Sequence, residues 1–335
     1  MKALVLLTGI LIGFIGAAPA AAQTLPFELK ANDHVVLIGN TLAERMQYFN
    51  HFETQLMTRY PELQLSVRNL GWSGDTLTLQ PRPLNFADAA KQLTEQKADV
   101  ILAFFGLNES FDGEAGLPKF EQDLEAYIQT QLQARYNGSS APRLVMVSPI
   151  AHEKLAHLVH VDVDARNREL ARYTDAMRKV TARLHVKFVD LYTPTKELME
   201  KGGGATPLTI NGIHLNEDGD RVVARLLMEG LGVDAGDSMK DATAVQRKQL
   251  DVLREQIRDK NQQFFYHYRF LNAEYVVGRR VEPFGSVNFP PEMKQLDQMV
   301  ADRDKTIWKR AAGLKGVRYG GPRVYLSAEN ATDRK

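Results

Sequence analysis

The sequence predicts an α/β protein: a three-layer fold with a parallel sheet between helices, then a helical C-terminal extension. Three observations predict it. Short apolar runs alternate with amphipathic helical stretches from about Asp33 to Leu231. The first and third of those runs end in Gly, at Gly39 and Gly106, as buried strands do before a tight turn. After Gly236 the strand signal stops and long charged helical stretches replace it.

Each element follows in order. His34-Val-Val-Leu-Ile-Gly39 is a buried strand, and Leu42 to Tyr60 is an amphipathic helix stopped by Pro61. Leu63 to Leu70 reads as the second strand. Asn85 to Lys97 is a helix entered after Pro81 and Pro83, and Asp99 to Gly106 is the third strand. Leu117 to Tyr136 is a long helix, Arg143 to Pro149 a strand, Ala165 to His185 a helix and Lys187 to Tyr192 a strand. Asn216 to Leu231 closes the alternation as a helix. The α/β part is placed at residues 31–236 and the extension at 237–335. In the extension, Thr243 to Leu271 is one long helical stretch, Gly278 to Pro291 is irregular, and Glu292 to Ala312 is a further helix. No internal repeat is visible.

Composition excludes several classes. The chain has 335 residues, 44% hydrophobic and 25% charged, as ordinary globular proteins have. Lys and Arg number 42 against 41 Asp and Glu, a formal charge of +1, which gives no electrostatic footprint for nucleic acid. With no Cys there is no disulfide, thiol nucleophile, thiolate zinc site or iron–sulfur cluster. No cofactor is implied.

The N-terminus reads as a secretory signal peptide over residues 1–22. Met1-Lys2 is a short positive region, Ala3 to Ile15 is apolar, and Ala18-Pro-Ala-Ala-Ala22 supplies small residues before Gln23. The expectation is export to the periplasm or outside, with no stable membrane insertion after cleavage.

Chemistry in an open α/β sheet is expected at the C-terminal ends of the strands. Four unusual segments fall there or just before the last helix: Gly39-Asn-Thr41-Leu42, Asn69-Leu-Gly71-Trp-Ser-Gly74-Asp75-Thr76, Gly106-Leu-Asn108-Glu109 and Asn211-Gly-Ile-His214. Together they resemble the SGNH (GDSL-type) hydrolases over roughly residues 33–232. The resemblance implies a flavodoxin-like parallel sheet and an acyl-ester hydrolase. It puts Thr41 at the nucleophile position, where the family has Ser. Gly74 matches the Gly whose backbone N–H binds an oxyanion, and Asn108 the Asn whose side chain is another donor. His214 matches the base, and Asn211 stands where the family has the Asp that orients it. Two departures, Thr41 and Asn211, therefore fall on catalytic positions.

Acyl transfer needs a hydroxyl, a base within reach and donors aimed at the developing oxyanion. A Thr hydroxyl is adequate, though its methyl crowds the acyl carbon. Asn211 can hold His214 but brings no negative charge; Glu44 and Glu109 are the substitute carboxylates in sequence. Each residue also has a structural reading. Thr41-Leu-Ala-Glu44 is a capping box with Thr41 as N-cap. Gly74 also fits a turn needing positive φ, Asn108 a turn, and His214 a hydrogen-bonded structural His. Ser73 is a second loop hydroxyl, but Gly71-Trp-Ser-Gly-Asp75 is not the Gly-x-Ser-x-Gly elbow. His152, His157 and His160 lack the acid motif of a metal site. Phe264 to Phe270, Tyr275 and Trp308, with Arg279 and Arg280, either dock the extension or form a carbohydrate or peptide surface.

Two functions follow. The first is an exported esterase acting on small or carbohydrate-linked acyl esters, with Thr41 as nucleophile and His214 as base. The second is a catalytically impaired module of the same fold that binds extracytoplasmic glycans or a protein partner.

Overall fold

The computed structural model describes residues 27–202, 206–233 and 240–319. The signal segment expected at 1–22 lies outside them. Five parallel strands form the central sheet: β1 (His34–Gly39), β2 (Ser66–Asn69), β3 (Val100–Phe104), β4 (Arg143–Val147) and β5 (Lys187–Val189), in the order β2-β1-β3-β4-β5. The strands are buried on both faces, so they read as continuous apolar runs rather than as an alternation. The order reverses between β1 and β3, and a crevice opens where the loops after these two strands leave in opposite directions.

Helices cover both faces. They are α1 (Thr41–Phe49), α2 (His51–Arg59), α3 (Ala89–Glu95), α4 (Gly113–Gln133), α5 (Val163–Arg183), α6 (Tyr192–Gly202), α7 (Glu217–Leu231), α8 (Ala244–Tyr268), the short α9 (Ala273–Val276) and α10 (Phe289–Ala312). One sheet face, with Val35, Leu37, Leu102 and Val145, packs against α1, α2 and α7. The other, with Val36, Ile38, Ile101 and Met146, packs against α3, α4 and α5. Alternate residues of a strand point to opposite faces, which sorts these neighbours into two cores.

Several elements differ from the sequence expectation, two of them for a local reason at an Asn or Asp. The helix expected over Leu42 to Tyr60 breaks into α1 and α2 at Asn50, which is left-handed at φ 62° and donates its side-chain amide to Gln47 O at 2.8 Å. Asn tolerates that conformation better than most residues. The helix expected from Asn85 starts only at Ala89, where Asp88 accepts from Lys91 N at 2.8 Å as the N-cap. The run read as strand up to Tyr192 ends at Val189, and α6 follows unannounced. A two-residue parallel pair, β6 (Lys240–Asp241) with β7 (Val317–Arg318), appears where no strand was expected.

The C-terminal helices share the main core. Leu250, Leu253 and Ile257 of α8 and Ile307 and Ala311 of α10 belong to the same buried cluster as Val35 and Leu37. They also close the sheet's open edge. The β2-side carbonyls that face away from β1 are taken by side chains of the extension: Trp308 Nε1 donates to Leu65 O at 2.8 Å and Lys260 Nζ to Val67 O at 2.9 Å. An uncovered edge would expose these acceptors to solvent or to another chain. The aromatic run divides accordingly: Phe264 and Tyr268 are buried, and Phe270 packs on Phe86 at 5.6 Å between centroids. No helix among the described residues is long and apolar enough to cross a membrane.

Candidate active site

The crevice between β1 and β3 is built by backbone that approaches too closely for side chains. Gly39 has φ +123°, and a Cβ there would sit 2.1 Å from Phe104 O. Asn40 N–H donates to that same carbonyl at 3.0 Å, so the chain turns into α1 directly above β3. Asn40, not Thr41, caps the helix: its Oδ1 accepts from Leu42 N at 3.1 Å. The N-cap is therefore displaced by one residue, and the expected capping box does not form. Glu44 does not reach back to the cap either. Thr41 is the first helical residue, so its N–H belongs to the first-turn donors that a helix leaves unpaired. Its hydroxyl has no hydrogen-bond partner among the described residues.

The loop after β2 lies against the first turn of α1. A Cβ at Gly71 would meet Glu44 N at 2.4 Å, and Asn69 Nδ2 donates to Ala43 O at 2.6 Å. Glu44, almost fully buried, accepts from Ser73 N at 2.6 Å and from the Ser73 hydroxyl. Its other oxygen takes Arg269, just past the C-terminus of α8, at 3.3 Å. The Arg269 guanidinium also stacks on Trp72, 3.6 Å from the ring centroid. Asp75 is fully buried and paired to Arg82 through two bonds of 2.6 and 2.8 Å. Gly74, between Ser73 and Asp75, is exposed with φ +87° and has open space around it, as a backbone donor that must meet a ligand requires.

The loop after β3 meets the same segment. Asn108 Nδ2 donates to Asp75 O at 2.8 Å, which ties the loop after β3 to the residue that follows Gly74. Glu109 folds inward, accepting from Gly106 N at 2.8 Å and Leu77 N at 3.0 Å; burial pushes its carboxyl above the usual range. It makes no hydrogen bond to His214.

Asn211 and His214 sit on a tight loop. Thr209 and Leu215 pair across it, and Ile210 N donates to His214 O at 2.8 Å. The buried carboxylate of Glu153, on the loop after β4, accepts from Leu208 N, Thr209 N and Thr209 Oγ1 at 2.9, 2.7 and 2.6 Å. Nothing in sequence singled out Glu153, because an acid on the loop after a strand is unremarkable until the partner loop is known. This anchoring brings His214 against α1, where it lines a small cleft with Leu42, Arg45 and Met46. Burial holds the His214 imidazole below its ordinary pKa; Arg45 adds to that and Glu44 opposes it.

The Asn211–His214 contact has a definite polarity. Asn211 Oδ1 accepts from His214 N at 3.0 Å, with Ile213 N at 3.5 Å. Its Nδ2 therefore faces His214 Nδ1, at 3.0 Å. An amide nitrogen can only donate there, so Nδ1 accepts and the neutral ring carries its proton on Nε2. A carboxylate in this place would demand the opposite tautomer, with the lone pair on Nε2. No hydrogen bond joins His214 to Thr41 among the described residues.

His152, His157 and His160 do not converge: among the described residues no group of three or more His, Asp or Glu could hold a metal ion. His152 instead packs on Gly212 of the His214 loop, where a Cβ would lie 2.6 Å from His152 Nε2.

A parallel five-stranded sheet in the order β2-β1-β3-β4-β5, covered by helices on both faces, is a flavodoxin-like doubly wound architecture. The model of the GDSL-like Lipase/Acylhydrolase family matches residues 39–222, more than half of the 335 residues, and the chain belongs to that family. Among solved structures, it is similar to BT4096, a gut microbial diltiazem-metabolizing enzyme, at 15% identity and TM-score 0.59, covering 87% of this chain and 97% of that one. It is also similar to the acetyl xylan esterase AlAXEase at 20% identity and TM-score 0.46, covering 59% and 99%. Est24, a carbohydrate acetylesterase from Sinorhizobium meliloti, matches at 12% identity and TM-score 0.43, covering 60% and 99%. A search of curated proteins finds no match.

Proposed function

We propose that the chain is an exported acyl-ester hydrolase whose reaction takes place in the crevice above β1 and β3. The substrate is a small or carbohydrate-linked acyl ester. Export follows from the leader pattern at residues 1–22, and an exported esterase meets extracytoplasmic glycans and similar polymers. Thr41 occupies the family's nucleophile position and His214 its base position. Gly74 N–H and Asn108 Nδ2 are the donors for the oxyanion, because a tetrahedral intermediate needs preorganised N–H groups where charge develops. The observation that supports this reading most is the hydrogen bond from Asn108 Nδ2 to the carbonyl of Asp75, the residue after Gly74.

One observation favours a second reading, a binding module that keeps the pocket and has lost the chemistry. Asn211 donates to His214 Nδ1, and an imidazole protonated on Nε2 cannot accept the nucleophile's proton. Turnover of a chromogenic acetyl ester by the purified chain separates the two. Hydrolysis above buffer supports the hydrolase, and none above buffer supports the module.

A further inference from the structure

A second hydroxyl, that of Ser73 on the loop after β2, lies against the carboxylate of Glu44 in the first turn of α1. We propose that Ser73 is the nucleophile of this site and Glu44 its general base. The proposal rests on the ester-hydrolase reading and reassigns the reacting atoms within it.

The geometry is that of an activated nucleophile. A hydroxyl, a base within hydrogen-bond reach and a third group that orients the base are its three parts. Ser73 is exposed and donates its hydroxyl to Glu44 Oε2. Glu44 is 6% exposed, and Arg269 holds its Oε1 from the opposite side. The Ser73 backbone N–H donates to the same Oε2 at 2.6 Å, which fixes the residue relative to the carboxylate. Thr41 has no such partner. The donors also suit Ser73: the N–H of the residue after a nucleophile is a common oxyanion donor, and here that residue is Gly74, with Asn108 one residue further round.

The bonds balance without any group beyond ester and water. Ser73 Oγ forms a bond to the acyl carbon as its proton passes to Glu44 Oε2, and the carbonyl oxygen becomes an oxyanion held by Gly74 and Asn108. Collapse breaks the bond to the alkoxy oxygen, which takes the proton from Glu44 and leaves as the alcohol. Water then adds to the acyl-Ser73 carbon, giving a proton to Glu44. The Ser73 ester bond breaks, Oγ regains that proton, and the carboxylic acid is released.

The test uses the full chain and an alkyl fluorophosphonate, which forms a phosphorus–oxygen bond to an activated hydroxyl with loss of fluoride. Adduct position is read by peptide mass spectrometry, alongside turnover of 4-nitrophenyl acetate. The expected result is an adduct on Ser73 of the wild type, retained in Thr41→Ala, absent in Ser73→Ala, and formed at least about tenfold more slowly in Glu44→Gln, the loss typical of a removed general base. The wild-type adduct needs no variant to fold. An adduct on Thr41 overturns the assignment of Ser73 and leaves the hydrolase reading standing. No adduct on any residue, with no turnover, overturns both and supports the binding module.

Discussion

Asn211 differs from Asp by one atom, yet that atom sets which nitrogen of His214 holds the proton. In Asn211→Asp one carboxylate oxygen still accepts from His214 N, and the other requires a proton on Nδ1. The expected outcome is a tautomer change, read by nitrogen NMR of the imidazole. The negative charge also raises the His214 pKa from its present lowered position, so any activity that needs neutral His214 shifts its acidic limb toward higher pH. If Thr41 reacts through His214, turnover rises by at least about tenfold; the reverse change in a serine protease costs about 10⁴. If Ser73 reacts through Glu44, turnover barely moves or falls. At this scale sequence reading located residues better than contacts. That Thr41, Gly74 and Asn108 lie on strand-end loops and His214 just before α7 was legible from the apolar runs, and their singling out came from the resemblance to the SGNH hydrolases. The polarity at Asn211 was not legible, since it depends on backbone N–H groups that only the folded loop presents.

Element ends show the same division. The sequence expectation puts the N-cap at Thr41; the close pass of Gly39 over Phe104 moves it to Asn40. Asn40→Ala is expected to cost about 0.5–2 kcal/mol in urea unfolding, and Thr41→Ala a few tenths at most. A second prediction concerns the junction of α2 with α7. Asp220, buried in the first turn of α7, accepts from His51 N at 3.3 Å, and burial pushes its carboxyl up to about 7. The folded form then binds a proton that the unfolded chain, with an ordinary carboxyl near 3.8, has released. That contribution to stability is complete at low pH and is lost as pH rises through about 7. His51 is lowered to about 2 by burial first and then by Arg254 and Arg221, so its contribution is present above 6.5 and is lost as pH falls below that value. The two slopes oppose each other between 3.8 and 6.5, and near 7 Asp220 acts alone. Thermal melts of Asp220→Asn should therefore lack the wild type's decline between pH 6 and 8. A parallel decline in both proteins would remove Asp220 as its cause.

Across the whole molecule, the α/β core and the C-terminal helices are joined by polar groups as well as apolar ones. Lys260 is fully buried and pairs with Glu53 of α2 at 2.6 Å, while Asn261 donates to Glu53 and to Asn50. Arg68 of β2 pairs with Asp304 of α10 at 2.6 Å. None of this was legible in sequence, where Lys260 is one charge in a highly charged helix; its burial is set by a partner 207 residues away. The alternation of strands and helices, by contrast, needed only the spacing of apolar runs. Such a join implies that the sheet edge and the extension unfold together. Lys260→Met is expected to destabilise the fold by about 3–5 kcal/mol, because it leaves the Glu53 carboxylate buried without its cation. Adding Glu53→Gln should recover part of that loss, since the remaining amide needs hydrogen bonds but no counter-charge. The two tryptophans report on both sides of the join, Trp72 beside the crevice and Trp308 against Leu65. Urea unfolding followed by fluorescence and by circular dichroism should give coincident transitions in the wild type and in both variants. A fluorescence transition that precedes the loss of secondary structure would mean that the extension detaches first. In that case the carbonyls of Leu65 and Val67 would be exposed before the sheet opens.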